Sequence, residues 1–393
     1  MRIGIFSESY EPVSNGVAVS VRTLIDELRA MHHHVCVMAP HYPDYVDESP
    51  FVMRVPSILT PMNADYPVPY PWFPRLRKEI NRLHLDVLHS QSPWFLGILA
   101  LRIARQYGIP HISTYHTLYD QYAHYMTFLP TPATRGILEW WMPEFYNQCD
   151  SVIVPSEVAE DSLRSYGVTA RINVIPTGVP LPRSDSLSEN SKREVRERFE
   201  ISNAVPLLLY VGRIAREKNI EIVVDAFAQT ADEVPDARLL LVGGGPELDT
   251  WKQRVERLPC GDRVVFTGNL PRSELDTIYA AADLFVFGST TETQGLVVSE
   301  SRAAGTPAVV VRGGGASENV HNGEDGVIVE PDAESVADAI RALLRKPAAL
   351  AEMRRACLRN APRYTPEAMA ATVEDVYIAA VDARSAPREL TPA

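Results

Sequence analysis

AADLFVFGSTTETQGLVVSESRAAGTPAVVVR, residues 281–312, decides the fold. AADLFVFGS reads as a buried strand. The stretch after it reads as a helix that Gly305 and Pro307 stop before the next apolar run, AVVVR. Glu292 falls in the turn before that helix, where the free N–H groups of Gln294, Gly295 and Leu296 can bind an anion. Glu300 follows eight positions later, a little over two turns away, near enough to one face to grip the same long ligand. An anion at the helix N-terminus, with carboxylates for polyol hydroxyls on either side, is the geometry a nucleotide sugar needs. Glutamates are also common on helix surfaces, so the spacing by itself equally fits a solvated face.

Outward from this unit the pattern repeats in both directions. RIGIF, VCVMA, VLHS, ISTYH and SVIVPS read as strands of the first half; PLLLYVGR, ARLLLVGGG, RVVFTGN, DLFVFGS and PAVVVRGG read as strands of the second. Helical patterns separate them, as in VAVSVRTLIDELRAM, where Val21, Leu24, Ile25 and Leu28 are spaced by threes and fours. The alternation predicts α/β class: two doubly wound, Rossmann-like domains with mainly parallel sheets. VPLPRSDSLSENSKREVRERF reads as the linker. The boundaries drawn from it are residues 1–183, 184–365 and a tail of 383–393, with a helix at 366–382 returning to the first domain. Ligands of open α/β sheets sit at the carboxyl ends of strands, so a cleft facing both sheets is the expected site.

At 393 residues the chain exceeds what a single core serves, which agrees with two domains. A net charge of −12 excludes nucleic acid as a general partner, because phosphate binding needs a basic surface. Cys36, Cys149, Cys260 and Cys357 show no metal-ligand spacing, and Cys36 and Cys149, in or beside apolar strand patterns, suit buried thiols in a reducing, cytoplasmic setting. No signal peptide is evident, and no apolar run reaches the roughly 18 to 20 residues of a membrane span. His32–His34 lies between a helix end and a strand, where capping rather than metal binding is expected. The chain contains no Asp-x-Asp carboxylate pair, so no metal and no cofactor are expected; cationic side chains and helix ends would neutralise a diphosphate.

Several strand ends carry candidate chemistry. GRIAREKN follows LLLYV and puts Arg213 and Lys218 where they can neutralise a diphosphate, although a basic turn paired with Glu217 fits the same residues. Asn15 and Gly16 open the first helix, where glycine lets a phosphate approach the backbone; a plain strand-to-helix turn remains the alternative. His116 ends another strand and can hydrogen-bond a sugar hydroxyl or serve structure alone. Tyr115, Tyr119, Tyr122, Tyr125 and Met126 fit a core or a binding surface. GGGPE and RGGGASE read as tight connections. From Pro40 to Pro74 nine prolines, interleaved with aromatic residues including Trp72, exclude a long helix or a central strand. That excursion ends in RLRKEINRL, whose Leu76, Ile80 and Leu83 share one face opposite Arg75, Arg77, Lys78 and Arg82.

NGV after the first strand, GR-x4-K, VGGGPE, ETQGLVVSE and AAGTP, in this order, resemble the retaining glycosyltransferases of family 4, of GT-B fold, from Met1 to about Tyr377. The resemblance implies that Glu300 binds the ribose of a nucleotide-sugar donor and that Arg213 and Lys218 bind its diphosphate. Glu292 and the backbone at Gln294, Gly295 and Leu296 would hold the sugar, with Gly16 and His116 contributed by the first domain. TYHTLYDQYAHYM and TETQGL are similar to bacterial diacylglycerol glucosyltransferases, which implies UDP-glucose as donor and a lipid acceptor. It also implies an anionic membrane surface met at the inner face through Arg75, Arg77, Lys78, Trp72 and Tyr119. The chain departs from the family at Thr177-Gly178-Val179-Pro180, where many members have Asn-Gly-Val-Asp.

No first-domain carboxylate is placed as a nucleophile, so the implied mechanism is front-face departure, catalysed by electrostatics and positioning. A soluble acceptor and a GDP-mannose-dependent mannosyltransferase stand as alternatives. A same-fold epimerase or phosphorylase and a non-catalytic sensor are further rivals; no pyridoxal-phosphate lysine motif supports a phosphorylase.

Overall fold

A computed structural model of the chain describes residues 1–13, 15–47, 49–60, 63–70, 74–119 and 131–385, with backbone alone at 60, 63–66, 74–78 and 131–134. The chain divides into two compact units, Met1–Gly178 with the stretch from Pro366 onward, and Val179–Thr365.

In the first unit β1 (Arg2–Phe6), β2 (His34–Pro40) and β3 (Val52–Val55) are followed by an antiparallel hairpin of β4 (Ser57–Thr60) and β5 (Asn63–Pro69). β6 (Val87–Ser90), β7 (His111–Thr114), β8 (Ser151–Val154) and β9 (Ile172–Val174) complete a seven-stranded sheet in the order β3-β2-β1-β6-β7-β8-β9. Every neighbouring pair is parallel. The proline-rich excursion thus contains strands, but β3 is a sheet edge and β4–β5 stands apart from the sheet, the two places where proline is tolerated. In RLRKEINRL, helical from Pro74 to Leu83, Ile80 is buried, Leu83 packs on the same core and Arg82 faces solvent.

Asn15 caps the first helix (Gly16–Ala30) by accepting a hydrogen bond from the Ala18 N–H at 2.8 Å. The helix Phe95–Tyr107 has no side-chain cap of its own. Instead the Glu8 carboxylate, from the loop after β1, accepts the Leu96 N–H at 2.7 Å and the Ser92 hydroxyl. Burial raises the Glu8 carboxyl above its ordinary pKa, against the pull of these bonds.

The terminal helix, Pro366–Ser385, lays Met369, Ala370, Val373 and Tyr377 on the apolar core of Ile3, Ile5, Val21 and Ile25. Its middle and its C-terminal end are tied by polar contacts. The Tyr377 hydroxyl meets His89 Nδ1 at 2.6 Å, and Arg384 grips Asp150 with two bonds of 2.9 and 2.8 Å.

The second unit has β10 (Leu207–Val211), β11 (Arg238–Val242), β12 (Val264–Gly268), β13 (Leu284–Phe287), β14 (Ala308–Val311) and β15 (Gly326–Val329). They are parallel in the order β12-β11-β10-β13-β14-β15. The charged helix read with the linker, Glu189–Arg198, is part of this unit. Arg196 is buried, pairs with Asp283 at 2.8 Å and donates to the carbonyl of Ala281 at 2.9 Å. No described helix is long and apolar enough to cross a membrane.

Burial, reinforced at His89 by neighbouring histidines, lowers the pKa of His89 and His111 to about 3 from 6.5. The unfolded chain then binds protons that the fold does not, so stability present above pH 6.5 is lost as pH falls toward 3. The slope should be about 1.4 kcal/mol per histidine per pH unit. Denaturant unfolding followed between pH 7.5 and 5 should show this loss, and His89→Asn should flatten it; a midpoint independent of pH would refute it.

Candidate functional site

In a doubly wound sheet the crevice opens where the strand order reverses. In the second unit that point lies between β10 and β13, which pair directly while their chains leave in opposite directions. The two loops there carry most of the sequence candidates. Arg213 and Lys218 follow β10; Glu292, Gln294, Gly295 and Leu296 follow β13.

The β10 loop is seated on backbone. Gly212 N–H donates to Val242, and Ile214 N–H to Gly244, at 2.9 and 2.8 Å. A Cβ at Gly243 would lie 2.0 Å from the Gly212 oxygen, and one at Gly245 2.2 Å from that of Ile214. The GGGPE turn is therefore a tight connection, needed for the close approach of two loops. Past a short 3-10 turn at Arg216–Lys218, Asn219 takes a left-handed conformation and donates to the Gly288 carbonyl at 3.1 Å. The Ser289 and Thr291 hydroxyls return bonds to the Glu217 carbonyl at 3.3 and 3.1 Å.

These ties bring Lys218 Nζ to 2.5 Å from the Glu292 carboxylate, with both side chains more than four-fifths buried. Arg213 is 56% exposed and only 4.0 Å from Glu217, a loose pair that leaves its guanidinium able to swing onto a ligand. The helix after the turn is Leu296–Ala303, with Gly295 at its cap at φ +76. Glu300 is held at both oxygens: the Tyr279 hydroxyl donates at 2.8 Å and Arg272 pairs at 3.1 Å. Burial raises the pKa of Glu300, the Arg272 charge opposing it.

RGGGASE is also a tight connection, and it supports the β13 loop. A Cβ at Gly314, at φ +65, would meet the Thr290 oxygen at 2.7 Å, and the Gly315 N–H donates to the Glu292 carbonyl at 2.7 Å.

In the first unit the order reverses between β1 and β6. Gly16 lies in the loop and helix start after β1, and a Cβ there would meet nothing within 4 Å, so the backbone is open to approach. His116 lies past β7, its Nε2 bonded to Gln91 Oε1 at 2.7 Å. Burial lowers its pKa to about 4, so the ring is neutral near pH 7 and Nδ1 is an acceptor. Gln91, directly after β6, is buried, and its amide nitrogen has no partner among the described residues. Tyr119 packs edge-on against Trp94 and Tyr115, with ring centroids 5.5 and 5.8 Å away, so its ring is largely committed to an aromatic cluster inside the unit. The His32–His34 run closes the first helix: His32 is left-handed and the His33 N–H bonds to Leu28 at 3.0 Å. Trp72, Tyr122, Tyr125 and Met126, and the side chains of Arg75, Leu76, Arg77 and Lys78, lie outside the described residues.

Sequence reasoning missed Arg272, Tyr279 and Gln91. A cation opening the helix Arg272–Ala281 and a glutamine ending a strand gave only weak signals, because their partners are far away in sequence.

Residues 14–183 match Glycosyltransferase Family 4, and residues 191–364 match Glycosyl transferases group 1. The chain is 36% identical over 316 residues to an alpha-monoglucosyldiacylglycerol synthase of Streptococcus pneumoniae, covering 79% of this chain and 70% of that one. It is 31% identical to a GDP-mannose-dependent alpha-mannosyltransferase of Corynebacterium glutamicum, covering 84% and 77%. Among solved structures it is similar to sucrose-phosphate synthase from Thermosynechococcus elongatus, with TM-score 0.77, 25% identity, and coverage of 97% and 99%.

Gly295→Ala tests how tightly the loops are built. The new Cβ would lie 2.8 Å from that of Ala316 on a backbone of positive φ. The substitution should lower unfolding free energy by about 1–3 kcal/mol, measured by denaturant titration; wild-type stability would show that the turn adapts.

Proposed function

Since this chain belongs to glycosyltransferase family 4 and is a glycosyl-transferring enzyme of GT-B fold, we propose that it moves a hexose from a nucleoside diphosphate sugar to a lipid hydroxyl. UDP-glucose is the proposed donor and diacylglycerol the proposed acceptor class, with retention at the anomeric carbon. The observation that carries this reading is the Lys218–Glu292 pair at the switch point of the second unit, beside the helix N-terminus at Gly295 and the carboxylate of Glu300. Cation, oriented N–H groups and carboxylates there correspond to diphosphate, sugar and ribose in turn. The similarity to an enzyme named for a glucosyl diacylglycerol supports glucose and lipid.

In this mechanism Arg213 swings onto the diphosphate and Lys218 turns from Glu292 toward it, freeing Glu292 for sugar hydroxyls. Negative charge grows on the departing phosphate, and these cations with the helix N–H groups stabilise it. The leaving diphosphate helps deprotonate the acceptor hydroxyl on the same face. His116, neutral near pH 7, acts through hydrogen bonds rather than charge. The mannosyltransferase similarity favours one second reading, GDP-mannose as donor.

The donor is tested by thermal shift, where a ligand at 100 times its dissociation constant stabilises by about 2.7 kcal/mol. Glu300→Ala should raise the donor KM by about 10- to 150-fold, the loss of a charge-assisted bond. Arg213→Ala and Lys218→Ala should act mainly on kcat. Activity should persist in excess EDTA; loss on chelation that manganese restores would overturn the metal-free mechanism, and an unchanged donor KM in Glu300→Ala would remove that residue from the site.

Membrane docking through the excursion after β2 and the helix Pro74–Leu83 is proposed on the three net positive charges between Arg75 and Arg82 and on the aromatic content of the segment. Each lysine or arginine near an anionic surface is worth about 1 kcal/mol. Co-sedimentation with liposomes should require anionic lipid, fall with salt, and weaken when Arg75, Arg77 and Lys78 become Glu. Indifference to anionic liposomes, with ready transfer to a water-soluble acceptor, would refute the lipid reading.

A further inference from the structure

A polar relay outside the proposed donor contacts runs into the loop that forms them. Asn319 closes the short turn Ser317–Asn319, and its side-chain amide donates to the carbonyl oxygen of Gln294 and, at 3.4 Å, to that of Gly315. The Asn319 carbonyl in turn accepts a bond from Arg302, which is 4% exposed. Arg302 pairs with Asp325, a carboxylate with no exposure at all. The Asp325 oxygens also accept bonds from the His321 ring at 2.8 Å, the His321 N–H at 2.8 Å and the Asn360 amide at 3.0 Å. A buried charge pair satisfied on this many sides is a rigid post.

What the post holds is a peptide plane. The Gln294–Gly295 bond is trans, since the cis bond of the described chain is Glu11–Pro12. In a trans peptide the carbonyl and the following N–H point in opposite directions. With the Gln294 oxygen fixed on Asn319, the Gly295 N–H is aimed away from the 317–319 turn. The Gly315 N–H fixes the Glu292 oxygen in the same way, so the Thr293 N–H is directed to that same side. Gly295, at φ +76, has more backbone freedom than a residue with a β-carbon, so the carbonyl grip matters more here than in regular helix.

We propose that Asn319 is a positioning residue for sugar transfer, fixing the Gln294–Gly295 peptide so that its N–H meets the donor at the sugar end of the diphosphate. This rests on the donor site described above. Glu300, the proposed anchor of the nucleoside end, does not bond to Asn319 in the described contacts, and neither does Arg213 at the diphosphate, so the relay acts on turnover and leaves nucleotide binding in place.

Asn319→Asp is the test, an isostere that replaces the donating nitrogen with a carboxylate oxygen facing the Gln294 oxygen. In the enzyme kcat with UDP-glucose, or with GDP-mannose if that is the donor, should fall by about 10- to 100-fold, less than the roughly 100- to 1,000-fold of losing such a donor outright, because the N–H is misaimed rather than removed. Affinity for the matching diphosphate alone, UDP or GDP, should stay close to wild type. Should Asn319→Asp fail to fold, Asn319→Ser is read the same way, and Asn319→Gln should restore part of the rate. Wild-type kcat in a folded variant, or a loss of UDP affinity as large as the loss of kcat, overturns the positioning role. A wild-type protein that transfers from no nucleotide sugar overturns the functional reading and the proposal with it.

Discussion

Parallel strands impose the constraint from which the rest of this protein follows. A parallel neighbour is reached only through a crossover, so every strand of both sheets ends in a loop on the same edge. Crossovers covering opposite faces diverge at one position in each sheet, between β1 and β6 in the first unit and between β10 and β13 in the second. The crevice left at that position lets polar groups gather without displacing core. The second unit uses this by bringing four loops together on backbone contacts. Gly243 and Gly245 sit under Gly212 and Ile214, while Gly314 sits under Thr290, at distances that admit no β-carbon. These glycines hold Lys218 and Glu292 in register.

The ionisable groups at this gap are placed so that none is buried alone. Lys218 faces Glu292, and Glu300 lies between Arg272 and Tyr279. Stripping one partner from such a pair leaves an uncompensated charge, which is far costlier than the pair is stabilising. A diphosphate entering the site can draw Lys218 away only by supplying its own charge, and Glu292 is then left needing donors. Sugar hydroxyls are donors. In the donor site proposed above, that pairing would make the two halves of a nucleotide sugar mutually dependent ligands.

Much of this was legible in the sequence because it is local. Buried parallel strands are continuous apolar runs, and all ten strands expected from such runs are present. β9 and β15 were missed: both are short edge strands with half-exposed sides, and β15, although apolar, is only the four residues GVIV behind a turn. β3 to β5 were hidden under proline, which argued correctly against a central strand yet says little about edges. At the site, Arg213, Lys218 and Glu292 could be picked out because they follow strand ends or precede helices, and Glu300 because it falls eight positions after Glu292, in the helix that follows. Arg272, Tyr279, Gln91 and Asn319 could not. Each acts through a partner that is distant in sequence or reached only once a turn has closed, and no periodicity marks such a residue.

The two units share an architecture but carry opposite chemistry at their switch points, and burial is the reason. In the second, unlike charges lie within pairing distance and remain polar in the strongest sense. In the first, burial drives the groups toward neutrality: the His116 pKa falls to about 4 and that of Glu8 rises. Glu8 stays committed to the start of the helix Phe95–Tyr107, and His116 to Gln91. A neutral imidazole and a carboxamide exchange hydrogen bonds with hydroxyls and have little to offer a phosphate. A charged lysine and arginine suit phosphate and gain less from a neutral hydroxyl. One fold used twice thus carries an ion pair at one switch point and neutral hydrogen-bonding groups at the other.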